Sequence, residues 1–314
     1  MRVAAIDIGT NTALMLVAER RPDGAVVAVE DHAEITRLGR GVDRTKRLDD
    51  AAVARTLEVL RGYAARAQAL GVARIAAVAT SASRDAENGA EFRARAAECL
   101  GVGLDDVAIA DGTREAQLTF AGALGGLGLR DGSRVGVIDV GGGSTELAIG
   151  VVTAAPSAAA LEWSHSYDVG SVRLTERHVR ADPPSGESLS AIEASVRAAL
   201  SAPAPPTGAL AAVVAIAGTA TTFAAIDRKL VRYEDDPPHG HRLTVPRIRA
   251  LTAELAGRAH EERCHTVGLD PRRADVIIAG GVILALAAER LAADAVTVSD
   301  RGVRWGLAFE LLDR

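Results

Sequence analysis

The chain has 314 residues, 48% hydrophobic and 25% charged, which is enough to bury a sizeable core in two domains or one large α/β domain. A net charge of −5 argues against broad non-specific binding of nucleic acid, yet it leaves room for a polyanion held in a locally basic cleft. The longest apolar run, Val276 to Ala288, is too short for a membrane span. Asp7 comes too early for a signal peptide, and Cys99 and Cys264 form no metal or redox spacing, so a soluble, cytoplasmic protein is expected.

In chain order, Val3-Ala-Ala-Ile-Asp-Ile-Gly9 reads as a buried strand ending in a tight turn, with a second apolar run at Ala13 to Ala18 completing a hairpin. A helix follows from Asp50 to Leu70, where Leu57, Leu60, Ala64 and Ala67 fall at helical spacing. Then come a strand at Arg74 to Ala79, a helix near Glu87 to Leu100, a short strand at Val107 to Ala110 and a helix from Arg114 to Leu124. After the glycine-dense stretch Gly125–Gly132 the opening pattern returns as Val135-Gly-Val-Ile-Asp-Val-Gly141, with a second run at Glu146 to Val152. A third strand is placed at Leu161 to Asp168, a helix at Gly186 to Leu200, a loop at Ala202-Pro-Ala-Pro-Pro206 and a buried strand at Ala212 to Ala217. Helices at Val245–Glu262 and Ala274–Leu291, a strand at Ala295–Ser299 and a helix at Gly302–Leu312 close the chain. The order β-β-β-α-β-α-β-α therefore appears twice. Scarce aromatics and many small side chains favour a layered α/β fold, with domains at 1–125 and 126–314 facing a shared cleft. The last helix is a candidate to pack back on the first domain.

The chemistry gathers at strand ends. In Asp7-Ile-Gly-Thr-Asn-Thr12, Gly9 lets backbone N–H groups approach an anion, Thr10, Asn11 and Thr12 add donors, and Asp7 can hold a divalent cation. In Asp139-Val-Gly-Gly-Gly-Ser-Thr-Glu146, Gly141, Gly142 and Gly143 bare a stretch of backbone that a phosphate chain can occupy. Ser144 and Thr145 stand there as donors, and Asp139 and Glu146 as metal or water ligands. Ser81, Ser83 and Arg84 end the strand at Ala79. Gly218 and Thr219 lie where another strand enters a helix, whose N-terminus favours anions. Ala279-Gly-Gly281 reads equally well as close helix packing. His260, Cys264 and His265 lack a metal-site spacing, and no Walker A or dinucleotide fingerprint is present.

Taken in order, these segments resemble the exopolyphosphatase / guanosine pentaphosphatase family over nearly the whole chain. The resemblance also takes in Leu38-Gly-Arg-Gly-Val42, Ala79-Thr-Ser-Ala-Ser-Arg-Asp-Ala-Glu-Asn88, Arg114-Glu-Ala116, Pro271-Arg-Arg-Ala-Asp-Val-Ile277 and Val298-Ser-Asp-Arg-Gly302. It implies two duplicated ribonuclease H-like domains of the actin-like ATPase superfamily. It also implies Mg2+ as cofactor, Glu115 as the general base, and inorganic polyphosphate or a (p)ppGpp-type nucleotide as partner. A homodimer rests on the same resemblance alone. Leu14 departs from the His or Arg that many relatives carry after the first loop, and the chain lacks the helical domains of longer members. Alternatives are a guanosine pentaphosphate phosphohydrolase, an actin-like small-molecule kinase and a non-catalytic nucleotide-binding regulator.

Overall fold

The computed structural model describes residues 1–154, 159–231 and 237–313. The chain divides into two compact units, Met1–Gly122 with Val303–Arg314, and Ala123–Gly302.

The first unit contains β1 (Arg2–Ile8), β2 (Thr12–Arg20), β3 (Val26–Ile35), α1 (Val42–Thr45), α2 (Asp50–Ala69), β4 (Arg74–Ala79), α3 (Ser81–Asp85), α4 (Gly89–Leu100), β5 (Val107–Ile109) and α5 (Gly112–Leu124, whose last residues enter the second unit). Its sheet runs β3-β2-β1-β4-β5, antiparallel from β3 to β1 and parallel from β1 to β5. β1 reads as an unbroken apolar run because both its faces are covered. Ala4, Ile6 and Ile8 join one core with α2 and α4, whereas Val3 and Ala5 join another with Leu118 of α5. Period-two alternation carries Asp7 onto the Val3–Ala5 face. The long helix α2 starts where Asp49 caps the Ala52 amide, and it buries Leu57, Leu60, Tyr63 and Ala67. The third strand, β3, fills the β-β-β order; the sequence sets no bounds for it because it is an exposed edge with mixed residues and little alternation.

The second unit contains β6 (Arg134–Val140), β7 (Thr145–Val151), β8 (Ala160–Tyr167), α6 (Ser171–His178), α7 (Gly186–Leu200), β9 (Ala212–Ile216), α8 (Ala217–Arg228), β10 (Arg242–Thr244), α9 (Val245–Ala256), α10 (His260–Cys264), α11 (Ile277–Arg290) and β11 (Ala295–Val298). Its sheet order is β10-β11-β9-β6-β7-β8. Read from β8, the first five strands repeat the hairpin-then-parallel arrangement of the first unit, so both units are α/β with the ribonuclease H-like, actin-like strand order. The single helix expected over Val245–Glu262 is two, α9 and α10, separated at Gly257. α11 is apolar on nearly all sides and lies in the middle of the core against α6, α7, α8 and α9. Its paired glycines serve that packing. A Cβ at Gly280 would stand 2.8 Å from Thr219, and one at Gly281 would stand 2.2 Å from Thr252 and 2.4 Å from Phe223.

The chain ends in α12 (Val303–Asp313), which belongs to the first unit and packs on β1 and β2 through Val303, Trp305, Leu307, Ala308, Phe309 and Leu311. Its contact with α5 is backbone-close: a Cβ at Gly306 would sit 2.1 Å from the Leu118 carbonyl oxygen. Arg114 of α5 grips Glu310 with two bonds of 2.6 and 2.5 Å. Gly306→Ala is therefore expected to destabilise the protein by about 1–3 kcal/mol in urea unfolding, because backbone must move to admit the methyl group. Gly62→Ala in α2, where the space is open, is the control and should stabilise by about 0.5–1 kcal/mol.

Candidate functional site

Both hairpins turn in the same way. In the first, Asp7 pairs with Leu14 and Ile8 with Ala13, and the Gly9 amide donates to the Thr12 carbonyl at 3.0 Å. In the second, Asp139 pairs with Glu146 and Val140 with Thr145, and the Gly141 amide donates to the Ser144 carbonyl at 3.0 Å. A Cβ at either glycine would stand 3.0 Å from that same carbonyl oxygen. The loops Gly9–Thr12 and Gly141–Ser144 are thus one device built twice. They differ at the second strand, where the first unit places Leu14 opposite its aspartate and the second places a carboxylate, Glu146.

Around the first loop, Thr10 Oγ1 meets Ser81 Oγ at 2.8 Å, joining the hairpin to the turn after β4. Asn11 and Thr12 lie beside it, linked by a long 3.4 Å bond. Ser83, by contrast, is buried, and its carbonyl is covered by Gly89. Arg84 reaches across to the start of α5, donating to the Ala110 carbonyl and to Glu115 Oε2, both at 3.1 Å. Asp111 caps α5 by accepting from the Arg114 amide at 2.7 Å. Glu115 consequently sits in the first turn of a fixed helix with a guanidinium on its carboxylate.

Asp7 has a partly buried side chain whose Oδ1 is shielded from solvent and finds no hydrogen-bond partner among the described residues. Burial, reinforced by the charge of Glu115 and opposed by Arg304, pushes its carboxyl up to about 7. A carboxylate oxygen stripped of solvent and left without a donor suits a cation. Arg304 is mostly buried and is held by Asp31 through bonds of 3.0 and 2.8 Å.

In the second unit, Glu146 Oε1 accepts from Ser144 Oγ at 2.7 Å and from Ser166 Oγ at 2.6 Å, which fixes the carboxylate opposite Asp139. Two expectations need correction here. Thr145 is fully buried and donates to the Val169 carbonyl at 2.6 Å, so its hydroxyl ties β7 to the segment after β8 and is not offered to a ligand. Thr219 is also buried, pointing at the Val140 carbonyl and Gly280. Gly218 stays at the surface of the turn, covered by Arg273: a Cβ there would meet Nη1 at 1.9 Å. The preceding residue, Ala217, holds a left-handed φ of 63°, a strained conformation for a side-chain residue.

Arg273 lies in the Pro271–Ile277 segment of the resemblance, whereas Arg304 and Arg173 lie outside the segments named for it. Among the described residues no three His, Cys, Asp or Glu side chains converge as a metal cage, and none of the helices is long and apolar enough to cross a membrane. His260 and Cys264 stay a helix-surface pair at 3.8 Å. His239 and His241 each bind an aspartate, Asp300 at 2.9 Å and Asp227 at 2.8 Å.

The sequence profile of the Ppx/GppA phosphatase family matches residues 16–314. The chain belongs to the Ppx/GppA phosphatase family. Exopolyphosphatase 2 of Mycobacterium tuberculosis is 36% identical over 99% of this chain and 98% of its own length. Guanosine-5'-triphosphate,3'-diphosphate pyrophosphatase of Vibrio cholerae is 29% identical over 98% of this chain but only 59% of its own length. Among solved structures, the Ppx/GppA family member of Aquifex aeolicus superposes with a TM-score of 0.85 at 31% identity, covering 100% of this chain and 98% of that one. The likenesses to the Mycobacterium and Aquifex proteins run the length of both units.

Proposed function

We propose that this protein is a Mg2+-dependent exopolyphosphatase that removes the terminal phosphate of inorganic polyphosphate, with Glu115 as general base. The observation that carries the reading is the repeated Gly-turn hairpin, each copy presenting bare backbone beside a carboxylate, with Glu115 held on Arg84 next to the first copy. Asp7 in the first unit, and Asp139 with Glu146 in the second, would each suit magnesium, largely through its own waters, and the ion would supply charge neutralisation for phosphate oxygens.

The remaining chemistry falls to the chain's own groups. Gly9, Thr10, Asn11, Thr12 and Ser81 in one unit, and Gly141, Gly142, Gly143, Ser144 and Gly218 in the other, offer donors to non-bridging oxygens. Arg84 is held on the base at 3.1 Å and can turn from Glu115 to phosphate when substrate arrives. Glu115 then aligns a water and takes its proton as the water oxygen bonds to the terminal phosphorus. The bridging P–O bond breaks, and the electron pair leaves with the shortened chain. The reaction asks for alignment and neutralised charge more than covalent help from the protein.

A second reading, guanosine pentaphosphate phosphohydrolase, uses the same phosphate groups and is favoured by the Vibrio relative alone. Phosphate release from polyphosphate, guanosine pentaphosphate and ATP, measured side by side with Mg2+ and with EDTA, decides between them. Fastest release from polyphosphate is expected. Release from none of the three would end the hydrolase reading, and release from guanosine pentaphosphate alone would replace the first substrate with the second.

A further inference from the structure

In both units the segment after the third strand folds back on the hairpin loop and donates backbone N–H groups to its carbonyls. In the first, the amides of Thr36 and Arg37 converge on the Asn11 carbonyl at 3.0 and 2.9 Å, and Gly39 reaches that of Thr10 at 2.8 Å. In the second, the amides of Val172 and Arg173 converge on the Gly142 carbonyl at 2.9 and 3.1 Å, and Ser171 reaches that of Gly141 at 3.0 Å. The approach leaves no room for a side chain: a Cβ at Gly170 would stand 2.3 Å from the Gly142 carbonyl oxygen.

This latch has a directional effect. In a trans peptide the N–H points opposite to the C=O. Engaging the carbonyls of Gly141 and Gly142 on one side turns the amides of Gly142 and Gly143 to the other. A stretch of glycines is otherwise free to reorient, so the latch supplies the preorganisation that the loop lacks.

The latch also carries a charge. Arg173 Nη2 lies 3.7 Å from the position a Cβ would take at Gly143, and Nη1 lies 3.7 Å from Asp168 Oδ1. The guanidinium is about one-third exposed and the aspartate almost fully so, an arrangement in which the ion pair is weak and easily exchanged. We propose that Arg173 is a substrate-binding residue, donating to non-bridging oxygens of a phosphate chain laid on the Gly141–Ser144 loop, with Asp168 holding it when the loop is empty. This assignment rests on the phosphoanhydride reading of the same loop. A forked guanidinium matches two phosphate oxygens, which a lysine ammonium cannot.

The test uses the full chain with Arg173→Ala, Arg173→Lys and Asp168→Asn, and polyphosphate of defined length as probe. Both KM and the equilibrium Kd should rise about 10- to 100-fold in Arg173→Ala while kcat changes about threefold or less, as expected for loss of a charge-assisted bond. Arg173→Lys should recover part of the affinity, Asp168→Asn should tighten binding, and the salt dependence of Kd should flatten in Arg173→Ala. Wild-type KM and Kd in a folded Arg173→Ala variant of an active enzyme would overturn the arginine assignment and leave the proposed function standing. A wild-type protein that neither binds nor cleaves polyphosphate would remove both. Should Arg173→Ala lose its fold, Asp168→Asn is decisive: tighter binding supports the proposal, and unchanged or weaker binding overturns it.

Discussion

Glu115→Gln is expected to lower phosphate release by about 10²–10⁴-fold while leaving polyphosphate affinity nearly unchanged. Glutamine keeps the shape of the side chain and can still accept the Arg84 Nη1 bond seen at 3.1 Å, so the first turn of α5 and its Asp111 cap stay in place. What it loses is the ability to take a proton from water. Initial rates and equilibrium binding on the same preparation separate the two effects. A folded Glu115→Gln enzyme with full turnover would show that the base is some other group. Loss of affinity together with rate would instead make Glu115 a structural anchor for Arg84.

The second large effect concerns Asp7. Its carboxyl is raised from 3.8 to about 7, first by burial and then by the charge of Glu115, against the pull of Arg304. A raised folded value means that the folded protein binds the proton more tightly than the unfolded chain. The contribution to stability is therefore complete below about pH 4 and is lost as pH rises to about 7, a change of up to about 4 kcal/mol. In EDTA at pH 8, Asp7→Asn should thus be more stable than the wild type by several kcal/mol at most, and the gap should close towards pH 4. Added Mg2+ should stabilise the wild type and not the variant, whose activity should be lost. Equal urea midpoints for the two proteins in EDTA at pH 8 would contradict this account. The residue would then be carrying a strain-free carboxylate with nothing to gain from a cation.

Much of this was legible because the decisive signals are local. Unbroken apolar runs such as Val3 to Ile8 mark strands covered on both faces, and the glycines that end them mark the turns. The same pattern at Val135 exposed the duplication before any coordinates did. Direction was harder to read. Thr145 has the right chemistry for a phosphate donor, but it alternates with Glu146 and shares the inner face with Leu147 and Ile149, so its hydroxyl is spent inside the fold. Had period-two alternation been applied to the strand after the glycines, Thr145 would have been set aside. At Gly218 the sequence could not show that Arg273 lies over the bare backbone of that turn. The edge strand β3 carries little periodicity of its own, and the helix α6 spans only 8 residues. Their places are set by the hairpins they cover, which only the assembled chain displays.

Because α12 completes the first unit, residues 1–122 alone leave Val3, Ala5, Leu16 and Ala18 without their cover. That cover comes from far along the chain, so the first unit cannot finish folding until residues 303–313 reach it, and closing so long a loop costs entropy. A chain truncated before Val303 would therefore carry its defect at the opposite end of the sequence, as an uncovered apolar strand surface.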